Sequence, residues 1–398
     1  MCDLKAMKKI VINVSVIRGK LTGLGVYALT FARTLEKHFK NTDVSVTFYA
    51  NECFYTDLNA WLNISPPPSA NRYQPLLDFA KAILGMRLYL FLRCNLLRFI
   101  EEYKSKTLRK KNMIDAEKFD LYIEPSYLGV TLNAQKTLGC IHDLPLCDEQ
   151  AWYVDKKFKD TWERLVLPKM AAYTEVICFS QYVKKEILKT FGFSQEAVHP
   201  IYHGLREYRD THSEAIPSNL GEFILVVGAN AKRRNVRGLI DAFKLLPQEL
   251  QNRFKIVLTG APNNLDTEDE QYFKQDFIVN LGYVSDALLQ TLYAHAHLLW
   301  WGSLAEGFGL PMVEAMHASC VVLASDVFCM PEILGDAGFY CNPYNTTDIA
   351  KSLESALTDE ALRQECIQKG LERVKLFDFK ESMRRHIEIV EQMLEVEL

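Results

Sequence analysis

Leu298-Leu299-Trp300-Trp301-Gly302-Ser303-Leu304-Ala305-Glu306-Gly307-Phe308-Gly309-Leu310-Pro311-Met312-Val313-Glu314-Ala315-Met316 carries the chain from an apolar run into a helix. Four consecutive apolar residues, 298–301, read as a strand buried on both faces. Gly307 and Gly309 allow the backbone to approach a ligand closely. Pro311 suits the first turn of a helix, where its missing N–H costs nothing. The N–H groups of such a helix start, including that of Leu310, attract an anion such as a diphosphate. Glu314 follows about one turn later, where a carboxylate can accept paired hydrogen bonds from ribose hydroxyls. Glu306 then faces a sugar ring. The same residues also read as a plain glycine turn, with Glu314 favouring the helix dipole.

Outward from this stretch the same alternation recurs. Apolar runs at 9–16, 44–49, 121–124, 137–142, 175–180, 223–228, 255–260 and 320–324 alternate with helical patterns such as 25–38, 181–191, 237–246 and 311–317. Nearly continuous apolar strands separated by helices imply parallel sheets covered on both faces. A chain of 398 residues exceeds what a single core usually spans, so two domains are expected. Residues 206–221 are polar and contain Pro217, Ser218 and Asn219, which marks a linker. The fold class is therefore α/β, with two doubly wound, Rossmann-like domains facing across a cleft. The first spans 1–205 and the second 222–375, followed by a helical segment, 376–398, that packs back on the first domain. Ligands of such domains bind beyond the carboxyl ends of the strands, where this chain places many of its glycines.

The net charge of −4 argues against nucleic acid as a partner. Ten cysteines form no C-x-x-C pair, and several lie in apolar runs, as buried free thiols do. Met7-Lys8-Lys9 leads straight into a strand without a signal-peptide pattern, and no run of 18 uncharged apolar residues occurs.

A second chemical signal is Val227-Gly228-Ala229-Asn230-Ala231-Lys232-Arg233-Arg234-Asn235. Three adjacent cations follow the Gly228 turn and precede a helix, as a phosphate clamp requires; a solvated basic loop is the alternative. Gly23-Leu24-Gly25 follows the first strand but lacks the full G-x-G-x-x-G fingerprint, which disfavours a dinucleotide oxidoreductase. His142-Asp143 ends the run 137–142. A histidine there either meets a sugar hydroxyl and assists proton transfer, or is a structural residue capped by Asp143.

Together these residues resemble the retaining glycosyltransferases of family 4, which have the GT-B fold. The most specific match is Glu306 and Glu314 around Gly-Phe-Gly. Supporting matches are Gly23-Leu24-Gly25, Ile141-His142-Asp143, Cys178-Phe179-Ser180-Gln181, Ile201-Tyr202-His203-Gly204 and Pro331-Glu332-Ile333-Leu334-Gly335-Asp336-Ala337-Gly338. The resemblance implies that Gly25 lies beside donor phosphate and acceptor. It also implies that Glu306, Gly307, Phe308 and Gly309 hold the transferred sugar, and that Glu314 holds the ribose. Gly228, Asn235 and Leu310 join the donor site; Arg233, Arg234, Glu306 and His142 are the expected catalytic set. Arg233-Arg234-Asn235 departs from the frequent Arg-Lys-Asn, and Trp301-Gly302-Ser303 stands where Pro-Ser is common, so that Trp301 reads as core.

The chain has no D-x-D, so no metal site and no cofactor are expected, the donor being a nucleotide-diphosphate sugar. Basic residues and helix amides would neutralise the leaving nucleotide in a front-face mechanism. Mannose from GDP-mannose is the first reading, with a UDP-sugar open, and the acceptor is an oligosaccharide or a lipid-linked glycan. Residues 71–112 interleave apolar and basic side chains. They form either an amphipathic membrane-surface segment or a helical pair covering the first sheet. A cytoplasmic protein, peripheral on the inner face of a membrane, is expected. Two other functions fit the same architecture: a nucleotide-sugar epimerase, and a non-catalytic nucleotide-sugar-binding protein.

Overall fold

Lys8–Asn13 (β1) is an interior strand of the first sheet because Ile10, Val11 and Ile12 are apolar on both faces and wholly buried. The computed structural model describes residues 7–17, 22–50, 53–63, 119–127, 132–144, 159, 162–205, 214–229, 231–260 and 272–396. Among them, β1 is joined by Val44–Ala50 (β2), Cys53–Tyr55 (β3), Phe119–Glu124 (β4), Ala134–Ile141 (β5), Glu175–Cys178 (β6) and Val198–Pro200 (β7). The order is β3-β2-β1-β4-β5-β6-β7. β1 runs parallel to both neighbours, with Ile10 opposite Val46 and Leu121, β4 runs parallel to β5, and β2 pairs antiparallel with β3.

The polar residues ending β1 and β4 are tied together. Asn13 Nδ2 donates to Glu124 Oε2 at 2.8 Å and the Tyr122 hydroxyl donates to the same oxygen at 2.5 Å. Ser126 donates to Oε1 through its N–H at 3.0 Å and its hydroxyl at 2.9 Å. Burial raises the Glu124 carboxyl above its ordinary range, and these donors oppose that shift. Asn13 Oδ1 accepts from the Ser15 N–H at 3.0 Å, which ends the expected run 9–16 at Asn13. The run 175–180 likewise stops at Cys178, since Ser180 caps the helix Gln181–Phe191 by accepting from the Val183 N–H at 3.1 Å.

The second sheet comprises Glu222–Val227 (β8), Phe254–Thr259 (β9), Ile278–Gly282 (β10), Leu298–Trp301 (β11), Val322–Ser325 (β12) and Phe339–Cys341 (β13), in the order β10-β9-β8-β11-β12-β13. Its pairings are parallel. The helix Val236–Phe243 packs Val236, Leu239, Ile240 and Phe243 into the core of this sheet, the i, i+3, i+4, i+7 stripe of an amphipathic helix. Burial of a side chain such as Leu239 or Phe243 contributes about 1.5–3 kcal/mol. Strand order reverses between β8 and β11, which pair through Leu298–Ile224 and Leu299–Leu225. The loops leaving these strands therefore sit at the topological switch point, where open α/β sheets bind ligands.

The chain divides into two compact units: Met1–Ile141 with Thr161–Val176 and Ile387–Leu398, and His142–Asp160 with Ile177–His386. Within the first, the C-terminal segment is held by His38–Glu391 and by Lys136 Nζ donating to Met393 O, each at 2.8–2.9 Å. Within the second, Ser382 Oγ donates to Tyr202 O at 2.7 Å. Of the described cysteines, Cys53 is exposed and Cys140, Cys178, Cys320, Cys329, Cys341 and Cys366 are buried thiols; burial pushes Cys178 up to about 12. Among the described residues no helix is long and apolar enough to cross a membrane. The segment 71–112 lies outside the described residues.

Candidate active site

Strand β8 ends at Val227, and Gly228 turns the chain with φ +70. Lys232–Arg234 then forms one 3₁₀ turn, and Asn235, at φ 51, caps the helix Val236–Phe243. Asn235 accepts from the Gly238 N–H at 3.3 Å and donates to Pro343 O at 2.8 Å, so its side chain is engaged in holding the loop. This loop is sewn to the one after β11. Leu304 N–H donates to Arg233 O at 2.7 Å, and Trp300 Nε1 donates to Arg234 O at 3.1 Å.

The side chains converge as well. Arg233 and Arg234 both pair with Glu306 Oε1. Arg233 also donates to Ala305 O at 3.1 Å, and Arg234 to Ser303 Oγ at 3.0 Å. The Arg234 guanidinium lies 3.8 Å above the Trp301 ring, a cation–π contact. Burial, and then the like charge of Arg233, hold the Arg234 guanidinium well below its ordinary range. Two cations on one buried carboxylate leave an excess positive charge, with Arg233 partly open to solvent, the electrostatic setting that favours a further anion.

Gly309, at φ 88, begins the helix Leu310–His317, and no side chain caps that helix start. A Cβ on Gly309 would lie 3.0 Å from Trp301 Nε1, and a Cβ on Gly307 would overlap the His142 carbonyl oxygen. Both positions therefore need glycine for close approach. Ser180 Oγ donates to Gly307 O at 2.8 Å. The Phe308 side chain is buried and packs edge-on against His203 (ring centroids 5.1 Å apart) and Phe377 (5.7 Å), so what Phe308 offers a ligand is backbone. Glu314 accepts from the Tyr293 hydroxyl at 2.9 Å.

His142 stacks on Phe179 at 4.5 Å, and Phe179 stacks on His203 at 3.8 Å. The field of Asp143 reaches Arg234. The second unit thus gathers Gly228, Arg233, Arg234, Asn235, Glu306, Gly307, Phe308, Gly309, Leu310 and Glu314 in the segments that follow β8 and β11, and it also includes His142, which follows β5. Gly25 belongs to the first unit, where its N–H donates to the cap residue Thr22 at 3.3 Å. Sequence reasoning missed Tyr293, named Ser180 and Ser303 without giving either a role, and read Trp301 as core alone. Trp301 is buried, yet it is also the platform under Arg234.

Residues 209–373 match the profile of the glycosyl transferases group 1 family. The chain is 25% identical to the O-antigen chain mannosyltransferase B of Escherichia coli, over 94% of this chain and 96% of that one. It is 29% identical to the serotype-specific mannosyltransferase WbdA of Escherichia coli, over 65% of this chain and 34% of that longer protein. The solved structure of WaaG, described as a glycosyltransferase involved in lipopolysaccharide biosynthesis, superposes with a TM-score of 0.62. It covers 96% of this chain and 99% of its own at 16% identity, a likeness of fold. The arginine loop and the Glu306–Glu314 segment both fall inside residues 209–373, the part that matches the group 1 family, and the chain is a glycosyltransferase of GT-B fold.

Proposed function

We propose that this enzyme transfers mannose from GDP-mannose to a hydroxyl of an oligosaccharide or lipid-linked glycan, with retention at the anomeric carbon and without a metal ion. One observation carries the reading: Arg233, Arg234 and Glu306 meet at the strand-order reversal, with Glu314 one turn into the adjoining helix. The arginines and the uncapped helix start at Leu310 suit a diphosphate. Glu314 suits the ribose and Glu306 the hydroxyls of the sugar. Mannose is supported by the names of the relatives, both mannosyltransferases.

In this mechanism the bond from the anomeric carbon to the leaving phosphate oxygen breaks, and its electron pair stays on that oxygen. The acceptor oxygen bonds to the anomeric carbon on the same face, and its proton passes to the leaving phosphate. Arg233 and Arg234 stabilise the charge that develops on the nucleoside diphosphate, the work a metal does elsewhere. His142 is assigned to a sugar hydroxyl beside the Gly307 loop. Residues 222–375 are assigned to the donor and 1–205, with Gly25, to the acceptor, at the inner face of a membrane.

A thermal-shift panel of GDP- and UDP-sugars tests the donor, since binding to the native state raises apparent stability with concentration. Turnover of isotope-labelled GDP-mannose in excess EDTA, with the product anomer assigned by NMR, tests the chemistry. Retained turnover and an α-linked product are expected. An inverted product, or complete loss on chelation with rescue by Mn²⁺, would overturn the mechanism.

A further inference from the structure

Tyr293 is a large side chain, 1% exposed, on the helix Asp286–His295, and its hydroxyl is its polar end. A phenol taken out of water needs a partner, and this one donates to Glu314 Oε2 at 2.9 Å. The helix Asp286–His295 precedes β11 and the helix Leu310–His317 follows it. The bond therefore joins the helix before β11 to the helix after it, the strand whose carboxyl end carries the loop to Glu306. One buried hydroxyl thus lies next to the carboxylate assigned to the ribose.

A glutamate on a helix has three side-chain torsions, and ordering them for a ligand costs conformational entropy. A charge-assisted bond from an immobile phenol holds the carboxylate in place before the ligand arrives. Ribose presents two adjacent hydroxyls, and a carboxylate in a fixed plane can accept from both, whereas a freely turning one loses part of that gain. We infer that Tyr293 is a positioning residue that fixes the Glu314 carboxylate and thereby sets the preference of the donor site for ribose over 2′-deoxyribose. The inference rests on the assignment of Glu314 to the ribose.

Calorimetry with GDP and 2′-deoxy-GDP, and with UDP and 2′-deoxy-UDP, on the wild type, Tyr293→Phe, Glu314→Gln and the double variant tests it. The ratio of two affinities does not depend on the fraction of protein folded, so a loss of stability in Tyr293→Phe leaves the readout intact. The wild type is expected to prefer the ribonucleotide by about tenfold or more. Tyr293→Phe is expected to lower that preference about fivefold, to raise the donor KM and to leave kcat near its starting value. Glu314→Gln is expected to abolish the preference, with no further loss in the double variant. If Glu314→Gln abolishes it while Tyr293→Phe keeps it in full, Tyr293 only packs: the inference falls and the ribose assignment stands. If Glu314→Gln keeps it, the ribose assignment itself falls and the inference with it.

Discussion

Replacing Glu306 by Gln removes one negative charge and keeps the shape of the side chain, which separates two roles. In the ligand-free protein the Glu306 carboxylate pairs with Arg233 and Arg234. A diphosphate must draw on the same guanidiniums, so carboxylate and ligand compete for them. The side chains of Glu306 and Arg234 are 7% and 13% exposed, while that of Arg233 is 30% exposed and more screened by water. The Arg234 contact therefore dominates, and a charge-assisted contact of this kind contributes about 1.5–3 kcal/mol. Glu306→Gln should tighten binding of the free nucleoside diphosphate by about tenfold to a hundredfold. It should also destabilise the ligand-free protein by about 3 kcal/mol, because Arg234 loses its anionic partner. Turnover should fall about a hundredfold or more, since the sugar loses a contact that acts in the transition state. Calorimetry with the diphosphate, thermal unfolding with and without it, and steady-state turnover read the three effects. Unchanged affinity with unchanged stability would refute the competition, and near-normal turnover would refute the assignment of Glu306 to the sugar.

Arg233→Ala and Arg234→Ala should each weaken the nucleoside diphosphate about tenfold, and Arg234→Lys, which keeps the charge but not the planar stack on Trp301, should fall between; unchanged calorimetric affinity in both alanine variants would exclude a clamp. Burial lowers the His386 imidazole from 6.5 to about 4, so the unfolded chain takes up the proton first as the pH falls. Its contribution to stability is complete above pH 6.5 and is lost between 6.5 and 4, about 3 kcal/mol in all; His386→Leu should flatten that part of the Tm–pH profile, and an unchanged profile would count against it. The apolar and basic segment 71–112 should sediment with anionic liposomes and release at high salt, and changing Arg87, Arg93 and Arg98 to Glu should abolish this; full activity on a soluble oligosaccharide with no liposome binding would favour a purely structural segment.

The sequence alone determined the alternation of strands and helices, and with it the parallel sheets. Runs such as 298–301 and 223–228 are apolar on both faces, which only a covered parallel sheet explains. The helix at 181–191 appeared at its observed bounds because its cap Ser180 and its stop Gly192, at φ 70, are local signals. The cations after Gly228 and the two glutamates around Gly-Phe-Gly were legible for the same reason: glycines and charges are punctuation readable within a few residues. The short strands β3, β7, β10 and β13 were not, since three to five residues carry too little periodicity and β10 is only half-buried. Nor could the sequence show that Arg234 rests on Trp301, that Tyr293 reaches Glu314, or that the His142 carbonyl closes on Gly307. Those partners lie 67, 21 and 165 positions apart, and no local propensity links them. Arg234 meets Trp301 because β8 and β11 pair at the reversal of strand order, which brings two loops, each readable alone, together; Tyr293 meets Glu314 because the helices before and after β11 pack side by side.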